Sequence, residues 1–214
     1  TDTVKYVSTG HQKTFIGIFE PDRETRVSAD VQGKIVRLFV DVGSYVKKGQ
    51  PLIKVDDALL NLQFQSIEIQ MEGLEADVKR YSILAESDAI QGVQLEKTQL
   101  ALKSAQVQQS TLLEQISRTI VAAPFNGIVT LKMTEVGSYA APGVPLLQLT
   151  DISSLRFTIQ VPENGLTLFQ NDQTAEVFPD LYPSITLEGK ITLIGSKGNN
   201  ANSFPIQAKV KNTA

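Results

Sequence analysis

The most constraining feature of the sequence is an internal repeat. Residues 29–57 align with residues 123–151 at a constant offset of 94, without a gap, and ten of the 29 aligned positions are identical. The identical pairs are Ala29/Ala123, Gly33/Gly127, Val42/Val136, Gly43/Gly137, Ser44/Ser138, Tyr45/Tyr139, Gly49/Gly143, Pro51/Pro145, Leu52/Leu146 and Asp57/Asp151. Two unrelated β-hairpins would not be expected to share three glycine pairs in register. We therefore predict two similar halves that fold against each other, so that the segment between them leaves and returns at one point.

Each half of the repeat has the pattern of short β-strands separated by glycine turns. In the first half, residues 35–40 and 51–55 are rich in strand-forming side chains. Glycine permits the positive φ angles that tight turns need, and a proline at the first residue of a strand removes a donor where its loss matters least. We predict a flattened β-sandwich whose turn glycines are Gly33, Gly43, Gly49, Gly127, Gly137 and Gly143.

The segment between the halves has the periodicity of two helices. Apolar residues separated by alternating steps of four and three predict a coiled-coil seam along the first helix, after an N-cap at Asp56 or Asp57. The positions of this seam are Leu60, Phe64, Ile67, Met71, Leu74, Val78, Tyr81 and Ala85. The return helix has a weaker seam, because Thr98, Gln109 and Thr119 are polar. The positions of this second seam are Leu95, Thr98, Leu102, Ala105, Gln109, Leu112, Ile116 and Thr119. We predict a loop between the helices at residues 86–90. Helices of this length extend roughly 40 Å, so we expect the hairpin to project.

Composition excludes several classes of chemistry. The 20 Lys and Arg residues against 23 Asp and Glu leave no basic stripe for nucleic acid, so we predict no nucleic-acid partner. The sequence has no Cys, only two Met and a single histidine, His11, which predicts neither a soft-metal site nor a thiol nucleophile. We find no phosphate-binding loop, and Asp56 and Asp57 are explained by capping, so we predict no catalytic residues, no cofactor and no enzymatic activity. The sequence also has no apolar run that could span a bilayer.

The first half also resembles a known half-motif. The pattern from Gly33 to Leu52 is similar to the half-motif of lipoyl and biotinyl carrier domains. In that family a modified lysine lies in the hairpin between the halves, whereas Asp57 occupies the corresponding position here, and Lys54 is predicted to lie in a strand. A carboxylate cannot form the amide that holds lipoate or biotin. A carrier domain of a multi-enzyme complex stays an alternative, which a mass shift on a lysine would reveal.

The whole chain resembles the periplasmic adaptor, or membrane fusion protein, family of HlyD-like subunits of tripartite efflux systems, in the branch associated with resistance-nodulation-division (RND) pumps. Residues 119–127 are similar to the family's T-x-I-x-A-P-F-D-G, with Asn126 in place of Asp. Residues 155–163, 176–179 and 187–191 follow the family's later strands. The resemblance implies a mainly β fold with a long α-helical hairpin: a split lipoyl-like β-sandwich interrupted by an antiparallel coiled coil, plus a small antiparallel β-barrel.

The resemblance also implies domain boundaries. We expect the lipoyl-like domain at residues 28–57 and 122–151, the α-helical hairpin at 58–121 and the β-barrel domain at 10–27 and 152–214. A further membrane-proximal domain, built from both chain ends, occurs in many members of the family, and we expect most of it to lie outside this sequence. The chain begins at Thr1 without a signal or anchor, so we expect that any such segment has been removed.

In this family the hairpin tip meets an outer-membrane channel through a pattern close to R-x-x-x-L-x(6)-S-x-x-x-[LY]-D. Arg80, Leu84 and Leu95 match it, while Gln91 replaces Ser and Glu96 replaces Asp. With the turn residues, the implied channel-binding tip is Arg80, Leu84, Ala89, Ile90, Gln91, Leu95 and Glu96.

The implied partners are a TolC-like outer-membrane channel, an inner-membrane transporter (RND rather than ABC) and further copies of the chain in a hexamer. The implied location is the periplasm, with the full-length protein anchored to or associated with the inner membrane. A third hypothesis belongs to neither the adaptor family nor the carrier family: a coiled-coil interaction protein with no channel partner.

Overall fold

The computed structural model describes residues 14–86, 92–179, 185–198 and 202–212. The chain divides into two compact units, one formed by residues 25–150 and the other by residues 1–24 with 151–214. The strands of the first unit are β2 (Gly33–Leu38), β3 (Tyr45–Val46), β4 (Pro51–Val55), β5 (Ile120–Ala122), β6 (Gly127–Lys132) and β7 (Tyr139–Ala140). Strands β1 (Gly17–Ser28) and β8 (Pro145–Pro162) contribute residues to both units.

The repeat in the sequence is a repeat in the backbone. Strands β2, β3 and β4 correspond in order to β6, β7 and β8, and each begins 94 residues before its counterpart. The ladder between β2 and β4 and the ladder between β6 and β8 also shift register at equivalent residues. The two halves also exchange equivalent backbone hydrogen bonds. They run from Ile35 N–H to Ser138 O (2.8 Å), Val129 N–H to Ser44 O (3.0 Å), Gly43 N–H to Val129 O (2.8 Å) and Gly137 N–H to Ile35 O (2.8 Å). The prediction of two similar halves folded against each other is therefore confirmed.

One hydrophobic core joins the two sheets of this unit. The first sheet has the order β5-β4-β2-β7, and β3, β6 and the first part of β8 pair in the second. Both sheets contribute to a single cluster of buried side chains, which includes Ile35, Val46, Leu52, Ile53, Val55, Val129, Leu146, Leu147 and Leu149. Burial of this many branched side chains between two pleated faces stabilises a sandwich.

The turn glycines serve two different purposes. Four of the six predicted glycines have positive φ, as tight turns require: Gly43 (86°), Gly49 (81°), Gly137 (94°) and Gly143 (79°). The other two begin strands β2 and β6. At Gly33 the limit is space, because a Cβ atom there would lie 2.6 Å from Cγ1 of Val55. The prediction of a turn was therefore wrong for Gly33 and Gly127, which are the first residues of strands; at Gly33 a larger residue would have to displace Val55.

Two helices, α1 (Ala58–Glu86) and α2 (Gly92–Ser117), lie between the halves of the sandwich. They share a buried cluster of Ile67, Ala105 and Leu112, against which Leu60, Phe64, Met71 and Leu74 pack. The burial pattern follows the predicted seams: every predicted seam position is buried or half-buried, and every other residue of α2 is exposed. Thr98 is polar but can be buried, because its hydroxyl donates a hydrogen bond to the Gln94 carbonyl oxygen (2.9 Å). At 1.5 Å per residue α1 is about 43 Å long.

The capping role predicted for either Asp56 or Asp57 is shared between the two residues. The Asp56 carboxylate accepts from the Ala58 N–H (3.0 Å), whereas the backbone carbonyl of Asp57 accepts from the Asn61 N–H (2.9 Å). Asp57 immediately precedes the helix, but its carboxylate pairs with Lys54. Both aspartates therefore shape the helix start, in different ways.

The second unit is an antiparallel sheet. The strand order is β9 (Thr174–Val177), β10 (Leu187–Ile194), β11 (Ser203–Lys211) and β8, with β1 also paired to β8, and a 3-10 helix spans Glu163–Leu168. Its core contains Ile159, Val161, Ile191 and Ile206, with Phe157 and Phe169 packed against them. The described strands form an open path from β9 to β1, so the closed barrel stays a prediction.

A polar cluster on the second unit joins three of its strands. The Asp22 carboxylate of β1 accepts from Ser154 of β8 (3.0 Å) and pairs with Lys209 of β11. The Arg156 guanidinium donates to the Asp22 carbonyl oxygen (3.0 Å). The hydrogen bond from Lys209 holds the pKa of the Asp22 carboxyl below its usual value, against a smaller opposing effect of burial.

Candidate functional site

The predicted tip residues lie on the last turns of α1 and the first turns of α2. Arg80 and Leu84 are four residues apart, so they share one face of α1. The Arg80 side chain is 64% exposed and forms an ion pair with Asp77 (Nη1 to Oδ1, 3.3 Å). Because an exposed pair of this kind contributes about 0–1 kcal/mol, it does not fix the guanidinium in place. Leu84 is half-buried.

The residues across the turn are divided between the seam and the surface. Leu95 is half-buried at the first seam position of α2, and the adjacent Glu96 is exposed. Ala89, Ile90 and Gln91 lie outside the described residues. The described part of the predicted tip thus comprises one exposed cation, one exposed carboxylate and two half-buried leucines.

The base of the helical pair contains an interaction that the sequence did not reveal. Lys54 lies in β4, as predicted, but its Nζ atom pairs with the Asp57 carboxylate and donates to the Thr119 hydroxyl (2.9 Å). The Lys54 and Asp57 side chains are only 21% and 22% exposed. The hydrogen bond from Lys54 holds the pKa of the Asp57 carboxyl below its usual value, while burial acts in the opposite direction.

The backbone at the base reinforces this cluster. The Val55 N–H donates to the Thr119 carbonyl oxygen (2.8 Å), and the Thr119 hydroxyl donates to the Ile116 carbonyl oxygen (2.6 Å). One lysine therefore ties the start of α1 and the end of α2 to the same strand. We call Lys54, Asp57 and Thr119 the base cluster. Its only signal in the sequence is a lysine in a strand otherwise made of apolar residues.

The base cluster bears on the carrier alternative. Asp57 occupies the position of the carrier lysine, and it precedes a helix of 29 residues rather than forming the tip of a short hairpin. Lys54 is the nearest lysine in the sequence, and its amine is engaged by two side chains. In this region the structure presents no exposed lysine at the position where carriers are modified.

The other departure from the family pattern, Asn126, also has a structural partner. Its Oδ1 atom accepts from the Lys48 N–H (2.7 Å), and the Gly49 N–H donates to the Ala123 carbonyl oxygen (2.8 Å). The amide oxygen of asparagine supplies the acceptor that an aspartate would supply. The substitution therefore keeps the turn at residues 47–50 attached to the second half of the repeat.

The turns at residues 41–44 and 135–138 are linked by one amine. Lys132 forms ion pairs with Asp41 (3.2 Å) and with Glu135 (3.0 Å), which are equivalent positions of the repeat. These contacts, led by the one with Glu135, raise the Lys132 pKa. The Asp41 pKa is lowered, first by the backbone N–H of Val42 and then by Lys132.

Across residues 14–86, 92–179, 185–198 and 202–212, no group of three or more His, Cys, Asp or Glu side chains is placed to hold a metal ion. No helix in these ranges is both long and apolar enough to cross a membrane. A groove of about 400 Å³ beside β5 is lined by residues 25–28, 30, 117, 118, 120–122 and 124, none of them a predicted site residue.

The architecture identifies the class of protein. A family model described as "RND MFP, barrel-sandwich hybrid domain" matches residues 23–151, which include the sandwich and both helices. The chain belongs to this family of membrane fusion proteins, whose members are periplasmic adaptors of efflux pumps.

Individual relatives agree with this assignment. The multidrug resistance protein MdtA of Xenorhabdus bovienii is 26% identical over 181 residues, covering 77% of this chain and 44% of the relative. The macrolide export protein MacA of Yersinia pestis is 27% identical over 198 residues, covering 75% and 52%. An uncharacterized protein of Haemophilus influenzae is 24% identical over 188 residues, covering 88% and 49%. The chain thus spans about half the length of the curated relatives that it matches.

Solved structures share the fold. A MacA–MexA chimeric protein containing the Pseudomonas aeruginosa MexA α-hairpin domain superposes with a TM-score of 0.79 at 20% identity, covering 92% of this chain and 72% of the chimera. The membrane fusion protein Spr0693 from Streptococcus pneumoniae R6 superposes with a TM-score of 0.75 at 18% identity, covering 94% and 93%.

Proposed function

We propose that this chain is the central part of a periplasmic adaptor subunit that links an inner-membrane transporter of the RND class to a TolC-like outer-membrane channel. The observation that carries the proposal is the repeat-built sandwich interrupted by two paired helices, which the family model matches over residues 23–151. Six copies would assemble around the path of the exported substrate. The full-length protein would be attached to or associated with the inner membrane.

In this proposal each part of the chain has a mechanical role. Residues 28–57 and 122–151 form the lipoyl-like domain, residues 58–121 a projecting hairpin, and residues 10–27 and 152–214 a closed β-barrel. The lipoyl-like and barrel domains seal the conduit, and the hairpin carries the docking residues to the channel. No bond is made or broken by the chain itself.

Docking occurs at the turn between the helices. Leu84 supplies an apolar anchor, Arg80 supplies an exposed cation, and residues 89–91 complete the contact. A desolvated apolar anchor contributes about 2 kcal/mol or more to binding, whereas an exposed charge at the rim contributes far less. Because Arg80 is exposed and paired with Asp77, we infer that it belongs to the second category and that Leu84 is the more important residue.

Site-specific photo-crosslinking tests this proposal. A photo-crosslinking amino acid replaces Ala89 in the full-length protein in its own host, and the products are identified by mass spectrometry. The matched control carries the same amino acid at Gln63, an exposed position near the start of α1. Capture of an outer-membrane channel from position 89 but not from position 63 supports the proposal. Capture of a cytoplasmic enzyme, or of nothing when the protein is abundant, contradicts it.

A further inference from the structure

The groove beside β5 lies at an open edge of the four-stranded sheet. In the part of the chain that the structure describes, β5 pairs with β4 on one side and is the last strand of its sheet on the other. Residues 25–28 at the end of β1, which belongs to the other sheet of the sandwich, also line the groove. All lining residues belong to the unit of residues 25–150, so the groove is a feature of one unit.

The backbone of β5 directs hydrogen-bonding groups toward this groove. The Thr119 carbonyl oxygen accepts from the last residue of β4 (2.8 Å), and the Ala123 N–H donates to the residue before β4 (3.0 Å). Because the N–H and C=O groups of successive residues alternate between the two sides of an antiparallel strand, those of Ile120 and Ala122 face away from β4, on the side of the groove. A strand edge of this kind is a template for a further strand.

The floor of the groove is apolar, and the space above it has the size of a short peptide. Val27 and Val121 line the groove, and each is only 7% exposed and belongs to the core of the sandwich. The volume of about 400 Å³ is in the range typical of ligand sites. The three residues of β5 correspond to about 10 Å of extended chain. An extended segment of similar length therefore matches the groove.

The rim of the groove is mainly cationic. Arg26 and Arg118 line it and are exposed, whereas Asp30 is the only carboxylate among its lining residues. Arg118 binds Glu114 through its Nε atom (2.9 Å), and the terminal nitrogens of a guanidinium are further donors. Guanidinium groups bind carboxylates through short, charge-assisted hydrogen bonds. The rim therefore suits an acidic ligand rather than a basic one.

We propose that the groove binds an extended acidic peptide segment, which adds as a strand to the free edge of β5. The peptide backbone exchanges hydrogen bonds with Ile120 and Ala122. Side chains alternate along an extended chain, so apolar ones contact the floor while the intervening carboxylates contact the two arginines. A small anion can use only the arginines, and an apolar molecule only the floor. This inference does not depend on docking of the turn between the helices.

Titration with synthetic peptides tests the proposal. The probe is a fluorescently labelled peptide of alternating valine and glutamate, and fluorescence anisotropy measures its binding to the purified full-length protein. The matched control peptide has lysine in place of each glutamate. Because the chain carries a net charge of -3, nonspecific attraction favours the basic peptide. We expect the acidic peptide to bind about tenfold more tightly than the basic one; equal or weaker binding of the acidic peptide overturns the proposal.

A second arm tests the addition of a strand. Methylation of the backbone nitrogens of the acidic peptide keeps its charges and side chains but removes its N–H donors, and each hydrogen bond lost should weaken binding about fivefold. On the protein, Ala122→Pro removes one N–H that faces the groove, at a sheet edge where proline is tolerated, and should weaken binding of the unmodified peptide to a similar extent. If the methylated peptide binds as tightly as the unmodified one, the groove holds anions only and the proposal is wrong.

A third arm tests the two arginines. Arg26→Gln combined with Arg118→Gln should weaken binding of the acidic peptide about fivefold, as expected for two partly exposed ion pairs. The matched control, Lys34→Gln combined with Lys47→Gln, removes two exposed cations outside the groove and should leave binding unchanged. An equal loss in both variants means that the attraction is nonspecific and overturns the proposal. If the peptide binds only after dilution has dissociated the protein, a second copy occupies the groove and the proposal is wrong.

Discussion

The base cluster leads to a prediction about the attachment of the helical pair. Lys54→Met removes the ion pair with Asp57 and the hydrogen bond to Thr119, and it keeps the apolar stem of the side chain. A hydrogen bond contributes about 1 kcal/mol and an exposed ion pair about 0–1 kcal/mol. Because both side chains of the pair are mostly buried but in contact with solvent, we expect a loss of about 1–2 kcal/mol.

Hydrogen exchange measures this loss where it occurs. The Val55 N–H donates to the Thr119 carbonyl oxygen, so exchange of the Val55 amide reports opening at the base even if the two units unfold separately. The control is Lys34→Met, which changes an exposed lysine in the neighbouring strand β2. If Lys54→Met changes the protection of Val55 by no more than the ~0.5 kcal/mol typical of surface substitutions, the base cluster does not hold the helices.

The same cluster has a defined pH dependence. The Asp57 pKa is lowered in the folded protein, chiefly by the hydrogen bond from Lys54, so the pair is fully stabilising above the ordinary pKa of 3.8. Its contribution is lost as the pH falls below 3.8 and through the folded pKa. Protection of Val55 in the native protein and in Asp57→Asn should therefore differ at neutral pH and converge in acid. A difference that persists unchanged to pH 2 would refute this cause.

Three other predictions follow from the core, the turns and the tip. Ile35→Ala removes a fully buried side chain between the sheets and should lower the free energy of unfolding by about 2–5 kcal/mol in denaturant titrations; a loss under 1 kcal/mol would contradict the described core. Gly43→Ala and Gly137→Ala have open space at Cβ but positive φ, so each should lower stability by about 1–2 kcal/mol, and unequal losses would contradict their equivalence. Leu84→Asp should abolish both crosslinking from position 89 and substrate export, while the circular dichroism spectrum of the protein stays unchanged. Arg80→Asp should weaken crosslinking and export to a smaller extent. Normal export by Leu84→Asp rules out the tip assignment.

Features with a period in the sequence were predictable from it. The ungapped offset fixed the pairing of the two halves, and the reciprocal bonds of Ile35 and Gly137 follow from it. The seam of α2 was predicted although Thr98 and Gln109 are polar, because spacing rather than polarity identifies a packing line. The strand segments that the resemblance implied at residues 155–163 and 187–191 coincide with the end of β8, which stops at Pro162, and with the start of β10.

Features that depend on one long-range contact were not predictable. Nothing in the spacing of Lys54 and Thr119, 65 residues apart, shows that one donates to the other. The role of Gly33 depends on the distance to Val55, which a sequence does not contain.

The reciprocal bonds between the halves have a consequence for how the chain acquires its structure. Neither half can complete its own hydrogen bonding, because the Val129 N–H needs Ser44 and the Ile35 N–H needs Ser138. During synthesis the first half must therefore wait until about 90 further residues have emerged. Contacts between the helices near the turn join residues that are close in sequence, so these contacts can form first. The pairing of the two helices can then extend from the turn toward the base. Their pairing brings Val55 to Thr119 and converts a distant encounter between the halves into a local one.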